Sequence, residues 1–159
     1  MTTALIAIGS NLGDRSANIE RSLSALDALP GVTVVRTSTI VETDPVGPQD
    51  QGPYLNAAAV LETSLGPHEL LECMLGVEHW LGRDRSREQR WGPRTIDLDL
   101  LSHGGVELST PDLTLPHPRL HERGFVLSPL AQIAPDAVIP GLNATPTELL
   151  AALGTGADG

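Results

Sequence analysis

The sequence contains no lysine and a single cysteine, and these two absences exclude several kinds of functional site. All ten basic residues are arginines, so a Walker-type phosphate-binding loop, which requires a lysine, is excluded. Cys73 on its own can form neither an internal disulfide nor a cysteine-cluster metal site. Because it lies within an apolar helical pattern, we expect it to be a small buried side chain.

The sequence also lacks long apolar runs and a positive net charge. No stretch approaches the roughly 18 apolar residues of a membrane span, and the first residues lack the basic region of a signal peptide. A net charge of −10 disfavours nucleic acid as a general partner, since phosphate backbones bind basic surfaces. We therefore predict one soluble domain over residues 1–159, a cytoplasmic monomer without nucleic-acid or membrane partners.

Hydrophobic periodicity predicts the order strand, helix, strand, strand, helix, strand. Short apolar or β-branched runs indicate the strands, and apolar residues at helical spacing indicate the helices. The predicted segments are 3–8, 15–29, 32–42, 54–63, 67–81 and 96–101. This order is that of the ferredoxin-like α+β fold, in which helices pack on a four-stranded antiparallel sheet.

The remaining segments are predicted to extend that core. The prolines and glycines of 43–53 predict a loop, and 106–108 a short return strand after the Gly104-Gly105 turn. Three prolines hold an extended segment around His117, an apolar run covers 125–133, and 145–153 is a last short helix capped by Thr145 or Thr147. We predict that the segments 43–53 and 83–91 move when ligand binds.

Two aspartates stand at alternate positions of the predicted strand 96–101. Side chains at i and i+2 of a strand share a face, so Asp97 and Asp99 point the same way. A carboxylate pair of this kind suits Mg²⁺, which completes its coordination with water and substrate phosphates. The alternative is a half-exposed strand whose polar face simply meets water.

Half of the positive charge lies directly before these aspartates. The segment 83–94 carries five arginines, Arg83, Arg85, Arg87, Arg90 and Arg94. Guanidinium groups bind phosphate oxygens in bidentate fashion and stabilise phosphoryl transfer. The alternative is a solvated loop paired with Asp84 and Glu88, against which the rigid Trp91-Gly92-Pro93 turn argues.

Aromatic residues are scarce, 3% of the chain, and two of them follow polar or glycine-rich stretches. Tyr54 and Phe125 could stack a flat heterocycle, with the amide of Asn56 reading its edge. The alternative is that both rings are ordinary core side chains. His117 could contact phosphate or relay a proton, or could be structural.

Four blocks, taken in order, form a specific combination: IGSNLG at 8–13, DPVGPQDQ at 44–51 with YLNA at 54–57, RWGPRTIDLDLL at 90–101, and PHPRL at 116–120 with RGF at 123–125. Together they resemble the 6-hydroxymethyl-7,8-dihydropterin pyrophosphokinase family of folate biosynthesis. The resemblance implies transfer of the pyrophosphoryl group of ATP to the pterin's 6-hydroxymethyl oxygen, with release of AMP. It implies two Mg²⁺ ions, and ATP and the pterin as small-molecule substrates.

The resemblance also implies which residues form the site. Asp97 and Asp99 would bind the metal ions, and Glu78 would lie nearby. The residues implied to be catalytic are Arg83, Arg85, Arg94, Asp97 and Asp99. Those implied to bind ATP are Arg85, Arg90, Trp91, Arg94, Leu100, Thr114, His117 and Arg123. Those implied to bind the pterin are Thr43, Val46, Gly47, Tyr54, Asn56, Trp91, Asp97 and Phe125.

Two other function classes were weighed against an enzyme. A non-catalytic ferredoxin-like module, either a small-molecule sensor or a degenerate paralogue, would need neither the carboxylate pair nor the arginines. An RNA-binding module would need paired aromatics on its strands and a basic surface, and the sequence offers neither.

Overall fold

The main sheet is antiparallel and is built around the first strand of the chain. The computed structural model describes residues 1–11, 13–43, 53–83 and 95–154. The elements are β1 (Thr2–Ser10), α1 (Arg15–Asp27), β2 (Val32–Thr37), β3 (Val41–Thr43), β4 (Tyr54–Thr63), α2 (Pro67–Trp80), β5 (Asp97–His103), β6 (Leu108–Ser109), β7 (Thr114–Leu115), a 3-10 turn (Leu120–Glu122), α3 (Gly124–Ile133) and α4 (Pro146–Gly154). β1 pairs with β4 on one side and with β5 on the other, and the order across the sheet is β2-β4-β1-β5.

Local signals set the helix ends. The side chain of Asp14 accepts a hydrogen bond from the amide of Ala17 and begins α1. Beyond α2, Gly82 takes a positive φ of 98°, the conformation expected after a helix end. Thr145 and Glu148 form a reciprocal capping box at the start of α4, which confirms Thr145 as its cap.

Both faces of the main sheet are covered. On one face, side chains such as Ile6 and Leu61 pack against α1 and α2. On the other, Leu5, Val60 and Leu101 pack against α3 and the chain around it. We predicted helices on the sheet, but the sequence pattern did not indicate that the C-terminal third would cover the second face.

The predicted strand 32–42 is in the right place but is interrupted. β2 and β3 both pair with β4, and between them the residues 38–40 lie opposite only Ala57 and Ala58. The extra residue makes a bulge, within which the hydroxyl oxygen of Ser38 accepts a hydrogen bond from the amide of Ala58 (2.8 Å). Thr39 turns away and donates to the side chain of Gln132 on α3.

The predicted return strand at 106–108 is wrong. The strand that forms is β6, and it pairs with β7 rather than with β5. The reason is a tight turn in which the side chain of Thr110 both donates to the carbonyl of Leu113 and accepts from its amide. This hydrogen bonding closes a separate hairpin.

Other expectations have mixed outcomes. Cys73 is half-buried rather than buried, and the apolar run 125–133 is the helix α3. Most of the predicted loop 43–53, and all but Arg83 of the segment 83–91 predicted to move, lie outside the described residues. Within the described ranges, every helix is too short or too polar to cross a membrane.

Candidate active site

The two predicted aspartates lie on one face of an edge strand. Asp97 stands opposite Gly9 and Asp99 opposite Ala7 in the pairing of β5 with β1. Their side chains keep 22% and 30% of their surface exposed. They point to the face that α3 covers further along, while Leu98 points into the core beneath α1 and α2. The carboxylates therefore border an open part of an otherwise covered face.

The surroundings of Asp99 disfavour its charged form. Burial, together with the neighbouring carboxylate of Asp97, raises the pKa of Asp99 to about 7. The guanidinium of Arg123, whose Nη1 lies 3.9 Å from Oδ2 of Asp99, opposes this rise only in part. A cation bound between the two carboxylates would offset this repulsion and favour the charged form of Asp99.

A buried ion-pair cluster lies directly beneath Asp97. The carboxylate of Glu78, at the end of α2, accepts from Arg83 at 2.8 Å and from the backbone amide of Leu98 at 2.7 Å. Arg83 also donates to Oδ1 of Asp97 at 3.0 Å and to the carbonyl of Ile96 at 3.2 Å. One guanidinium therefore connects a helix, the start of β5 and one of the two aspartates.

A neutral histidine, His117, comes from the C-terminal third of the chain. His117 is tied to β5, because its amide donates to the carbonyl of Leu101 at 2.9 Å. Burial and the Arg123 cation lower the pKa of His117 to about 4, so the ring is neutral at pH 7. Its Nδ1 accepts from the amide of Arg119, which leaves the proton on Nε2 as a donor.

Beside the carboxylates one position of the sheet, Gly9, carries no side chain, and we call the space over it the hollow. Gly9 on β1 lies between Asp97 on β5 and Asn56 on β4, so the two polar side chains flank a position without a side chain. They stand two strand spacings apart, roughly 10 Å. A Cβ at Gly9 would come within 3.3 Å of the Asn56 side chain and 3.5 Å of Tyr54. A side chain at residue 9 would therefore crowd Asn56 and Tyr54, and glycine leaves the backbone itself as the floor between them.

The polar edge of this hollow is ordered by β3. The amide nitrogen of Asn56 donates to the hydroxyl of Thr43 at 2.6 Å, across the pairing of β3 with β4. Tyr54 is on the same face as Asn56, two residues along the strand. Phe125 belongs to the apolar cluster on this face, and the guanidinium of Arg123 lies 5.7 Å from its ring centre.

The structure thus gathers some of the predicted site residues and leaves others untested. Those that lie on one face or in direct contact are Arg83, Asp97, Asp99, Arg123, His117, Asn56, Thr43, Tyr54 and Phe125. The side chain of Leu100 is buried on the opposite face, so only its backbone could reach a ligand here. Thr114 is half-buried on β7, which lies near β5. Arg85, Arg90, Trp91, Arg94, Val46 and Gly47 lie outside the described residues.

Sequence reasoning missed a buried polar group at the base of β5. Ser10 and Asn18 donate to the carbonyl of Thr95 at 2.5 and 3.2 Å. The sequence carries no signal for this contact, because its partners are distant along the chain. These bonds fix the backbone that leads into Asp97.

Comparison with known proteins gives consistent results. A family model described as 7,8-dihydro-6-hydroxymethylpterin-pyrophosphokinase (HPPK) matches residues 5–135. A Methylorubrum extorquens protein named 2-amino-4-hydroxy-6-hydroxymethyldihydropteridine pyrophosphokinase is 49% identical over 141 residues, which cover 89% of this chain and 88% of that one. A Bacillus subtilis protein of the same name is 50% identical over 130 residues, covering 82% and 77%.

Solved structures support the fold. The chain matches the Plasmodium falciparum HPPK-DHPS structure with pteroate at a TM-score of 0.73, over 95% of its own length. Sequence identity is 14%, so this likeness concerns the fold alone. The chain spans about two fifths, 42%, of the length of that solved chain.

Proposed function

The chain belongs to the 7,8-dihydro-6-hydroxymethylpterin-pyrophosphokinase family, and from this membership we infer that it transfers pyrophosphate from ATP to 6-hydroxymethyl-7,8-dihydropterin in folate biosynthesis. The observation that carries the inference to this chain's own residues is the pair of Asp97 and Asp99 on one face, beside Arg83 and a hollow edged by Asn56. A non-catalytic binding module would need none of these charged groups, and the comparisons do not favour it.

We propose that Asp97 and Asp99 hold two Mg²⁺ ions. The fit is supported by the oxygen donors of the two carboxylates and by the pKa of Asp99, which burial and the neighbouring Asp97 raise and a bound cation would lower. Among the described residues there is no group of three or more His, Cys, Asp or Glu that could hold a metal. Two carboxylates suit Mg²⁺, whose remaining ligands are typically water and phosphate oxygens. Bound there, Mg²⁺ would neutralise the charge of the ATP phosphates.

Cationic side chains beside and below the aspartates would help to bind the phosphates. Arg123 stands beside Asp99 and would contact phosphate, while Arg83, which is buried and hydrogen-bonded to Asp97, would support the site from below. His117 is neutral and presents Nε2–H as a donor, which suits a phosphate oxygen. The family resemblance implies further residues that contact the triphosphate or another part of ATP. The residues we propose for these contacts are Arg85, Arg90, Trp91, Arg94, Leu100 and Thr114.

The hollow over Gly9 would receive the pterin. Its floor is backbone, so a flat ring can approach closely, and the Asn56 side chain with Thr43 offers a polar edge for the pterin's amide-like atoms. Tyr54 and Phe125 would stack against the ring faces. Val46, Gly47 and Trp91 are proposed pterin contacts from the resemblance, and Asp97 would lie at the hydroxymethyl end.

The reaction needs no protein nucleophile. The hydroxymethyl oxygen of the pterin attacks the β-phosphorus of ATP and releases its proton to solvent, while the bond from this phosphorus to the oxygen of AMP breaks. AMP leaves with the electron pair of that bond. The protein's contribution is to hold the two substrates in line and to offset negative charge, which is where most phosphoryl-transfer catalysis originates.

We also propose that the fold is ferredoxin-like. The strand order β2-β4-β1-β5 and the wholly antiparallel pairing support this layout. The single domain over 1–159, the monomeric state and the cytoplasmic location stay predictions.

AMP release tests the proposed function. Incubation of the protein with Mg²⁺, ATP and 6-hydroxymethyl-7,8-dihydropterin should give AMP and the pterin pyrophosphate in equal amounts, and neither product without the pterin. Asp97→Ala should lower the rate at least a hundredfold. Undiminished AMP formation by that variant, or none by the unaltered protein, would contradict the proposal.

A further inference from the structure

Glu78 carries a carboxylate that the proposed reaction does not use. Its side chain is 2% exposed, as is that of Arg83, whose Nη1 lies 2.8 Å from its Oε2. The same Oε2 accepts the backbone amide of Leu98 at 2.7 Å. A buried charge is stable only when it is paired and hydrogen-bonded, and Glu78 meets both conditions through groups that adjoin Asp97.

The amide of Leu98 belongs to the free side of the sheet. Among the described strands β5 is an edge strand, and although Leu98 stands opposite Ile8 on β1, its amide points away from β1 and donates to Glu78. Glu78 satisfies this amide and so fixes the backbone between Asp97 and Asp99. The carboxylate therefore positions the strand as well as the arginine.

Among the described residues, Arg83 donates to the carboxylates of Glu78 and Asp97, and of these Asp97 is a proposed metal ligand. A divalent cation at Asp97 competes with the guanidinium for Oδ1, which lies 3.0 Å from Nη1. Glu78 offers the guanidinium a second carboxylate at 2.8 Å. Arg83 can then release Asp97 to a cation while its own charge stays neutralised and its position stays fixed.

We propose that Glu78 is a positioning residue that acts through Arg83: it draws the arginine's charge away from Asp97 and so allows Asp97 to bind a divalent cation. This inference rests on the proposed function for its meaning in catalysis, but its central claim concerns cation binding alone. A merely structural role for Glu78 would predict lower stability without a specific loss of cation affinity.

Glu78→Gln separates the two roles because it keeps the shape and removes the charge. The amide oxygen of glutamine can still accept hydrogen bonds from Arg83 and Leu98, so the fold is retained. The charge of Arg83, however, is then balanced by Asp97 and no longer by residue 78. The matched control is Glu72→Gln, on the exposed face of the same helix. Each protein is titrated with Mg²⁺ alone, without nucleotide, and the dissociation constant is read from the amide NMR shifts of Asp97 and Asp99.

We expect Glu78→Gln to weaken Mg²⁺ binding about tenfold, in the range seen when groups that orient a metal ligand are altered. Its kcat should fall ten- to a hundredfold with less than a threefold change in the KM for the pterin. In an Arg83→Gln background the Glu78→Gln change should have no further effect on Mg²⁺ affinity. Glu72→Gln should match the unaltered protein.

A Mg²⁺ affinity of Glu78→Gln within twofold of that of the unaltered protein would overturn the inference. So would an equal loss of Mg²⁺ affinity when Glu78→Gln is made in the unaltered protein and in the Arg83→Gln variant. If Glu78→Gln does not fold, Glu78→Asp decides instead. It keeps the charge, so its Mg²⁺ affinity should stay within about threefold while kcat falls through misplacement of Arg83. An unchanged kcat in that variant refutes the positioning role. Failure of the unaltered protein to form AMP would refute the proposed function and leave the Mg²⁺ titrations to be judged separately.

Discussion

Replacing Asp99 by asparagine is expected to stabilise the metal-free protein at pH 8 while lowering its activity about a hundredfold. Asparagine has nearly the shape of a protonated aspartic acid but cannot ionise. In the folded protein the pKa of Asp99 is about 7, against 3.8 for an ordinary aspartate, because of burial and the adjacent Asp97. Ionising this side chain therefore costs folding free energy that asparagine avoids.

The sign and the pH range follow from these two pKa values. Between about pH 4 and pH 7 the folded protein keeps a proton that the unfolded chain has lost, so its stability falls as the pH rises through this range. Above pH 7 Asp99 is ionised in both the folded and the unfolded state, so the stability of the protein falls no further. The advantage of Asp99→Asn should hence be small near pH 4, grow towards pH 7 and stay level above it.

The pKa shift of Asp99 also sets an upper limit on the stability that Asp99→Asn gains. About three pKa units correspond to about 4 kcal/mol at roughly 1.4 kcal/mol per unit. The Asp99 side chain keeps 30% of its surface exposed. Water therefore screens part of the interaction, and we expect about 2 kcal/mol.

Urea unfolding in EDTA at pH 4.5, 6, 7 and 8 measures the difference in free energy of unfolding between Asp99→Asn and the unaltered protein. The control variant is Asp136→Asn, which lies outside the site. Asp14→Asn is unsuitable because Asp14 caps α1. Added Mg²⁺ should narrow the gap, since an ion that binds only the folded protein with Asp99 stabilises that protein. A pH-independent difference, or lower stability of Asp99→Asn at pH 8, would refute the reasoning.

Three further changes test other parts of the site and the core. Gly9→Ala should raise the KM for the pterin about tenfold and leave the KM for ATP unchanged, because its Cβ would enter the hollow 3.3 Å from Asn56; equal effects on both constants would contradict the assignment. His117→Gln should not alter the shape of the rate profile between pH 5.5 and 8, because His117 is already neutral there; loss of a titration near pH 6.5 would show otherwise. Leu127→Ala, at a fully buried position, should cost about 2–5 kcal/mol in urea unfolding; a cost under 1 kcal/mol would show that α3 adds little to the core.

Those parts of the fold and site that depend on local pattern could be predicted from the sequence. The strand 54–63 matches β4 because its apolar and β-branched residues are bounded by turn residues on both sides. The shared face of Asp97 and Asp99 follows from the two-residue period of a strand and needs no knowledge of what packs around it. Thr145 was one of two caps expected for α4, and its reciprocal hydrogen bonds with Glu148 identify it as the cap.

What the sequence could not predict depends on contacts between distant residues. Ser10 and Thr95 lie 85 positions apart, and nothing in either neighbourhood indicates their hydrogen bond. The resemblance placed Glu78 near the site, but its joint contact with Arg83 and the amide of Leu98 depends on how α2 packs beside the edge strand. The bulge after β2 likewise arises from pairing with β4. The residue pattern of one strand does not predict the register in which it pairs with another.

The covering of the sheet's second face by α3 has a consequence for the order in which the protein is made. Arg123 and Phe125 are synthesised long after Asn56 and somewhat after Asp99, so an emerging chain carries the sheet side of the site before its other side exists. Until α3 follows, apolar residues of this face, such as Leu101, have no cover. The growing chain thus passes through a stage at which it is both inactive and prone to association, and this stage ends when α3 leaves the ribosome and packs.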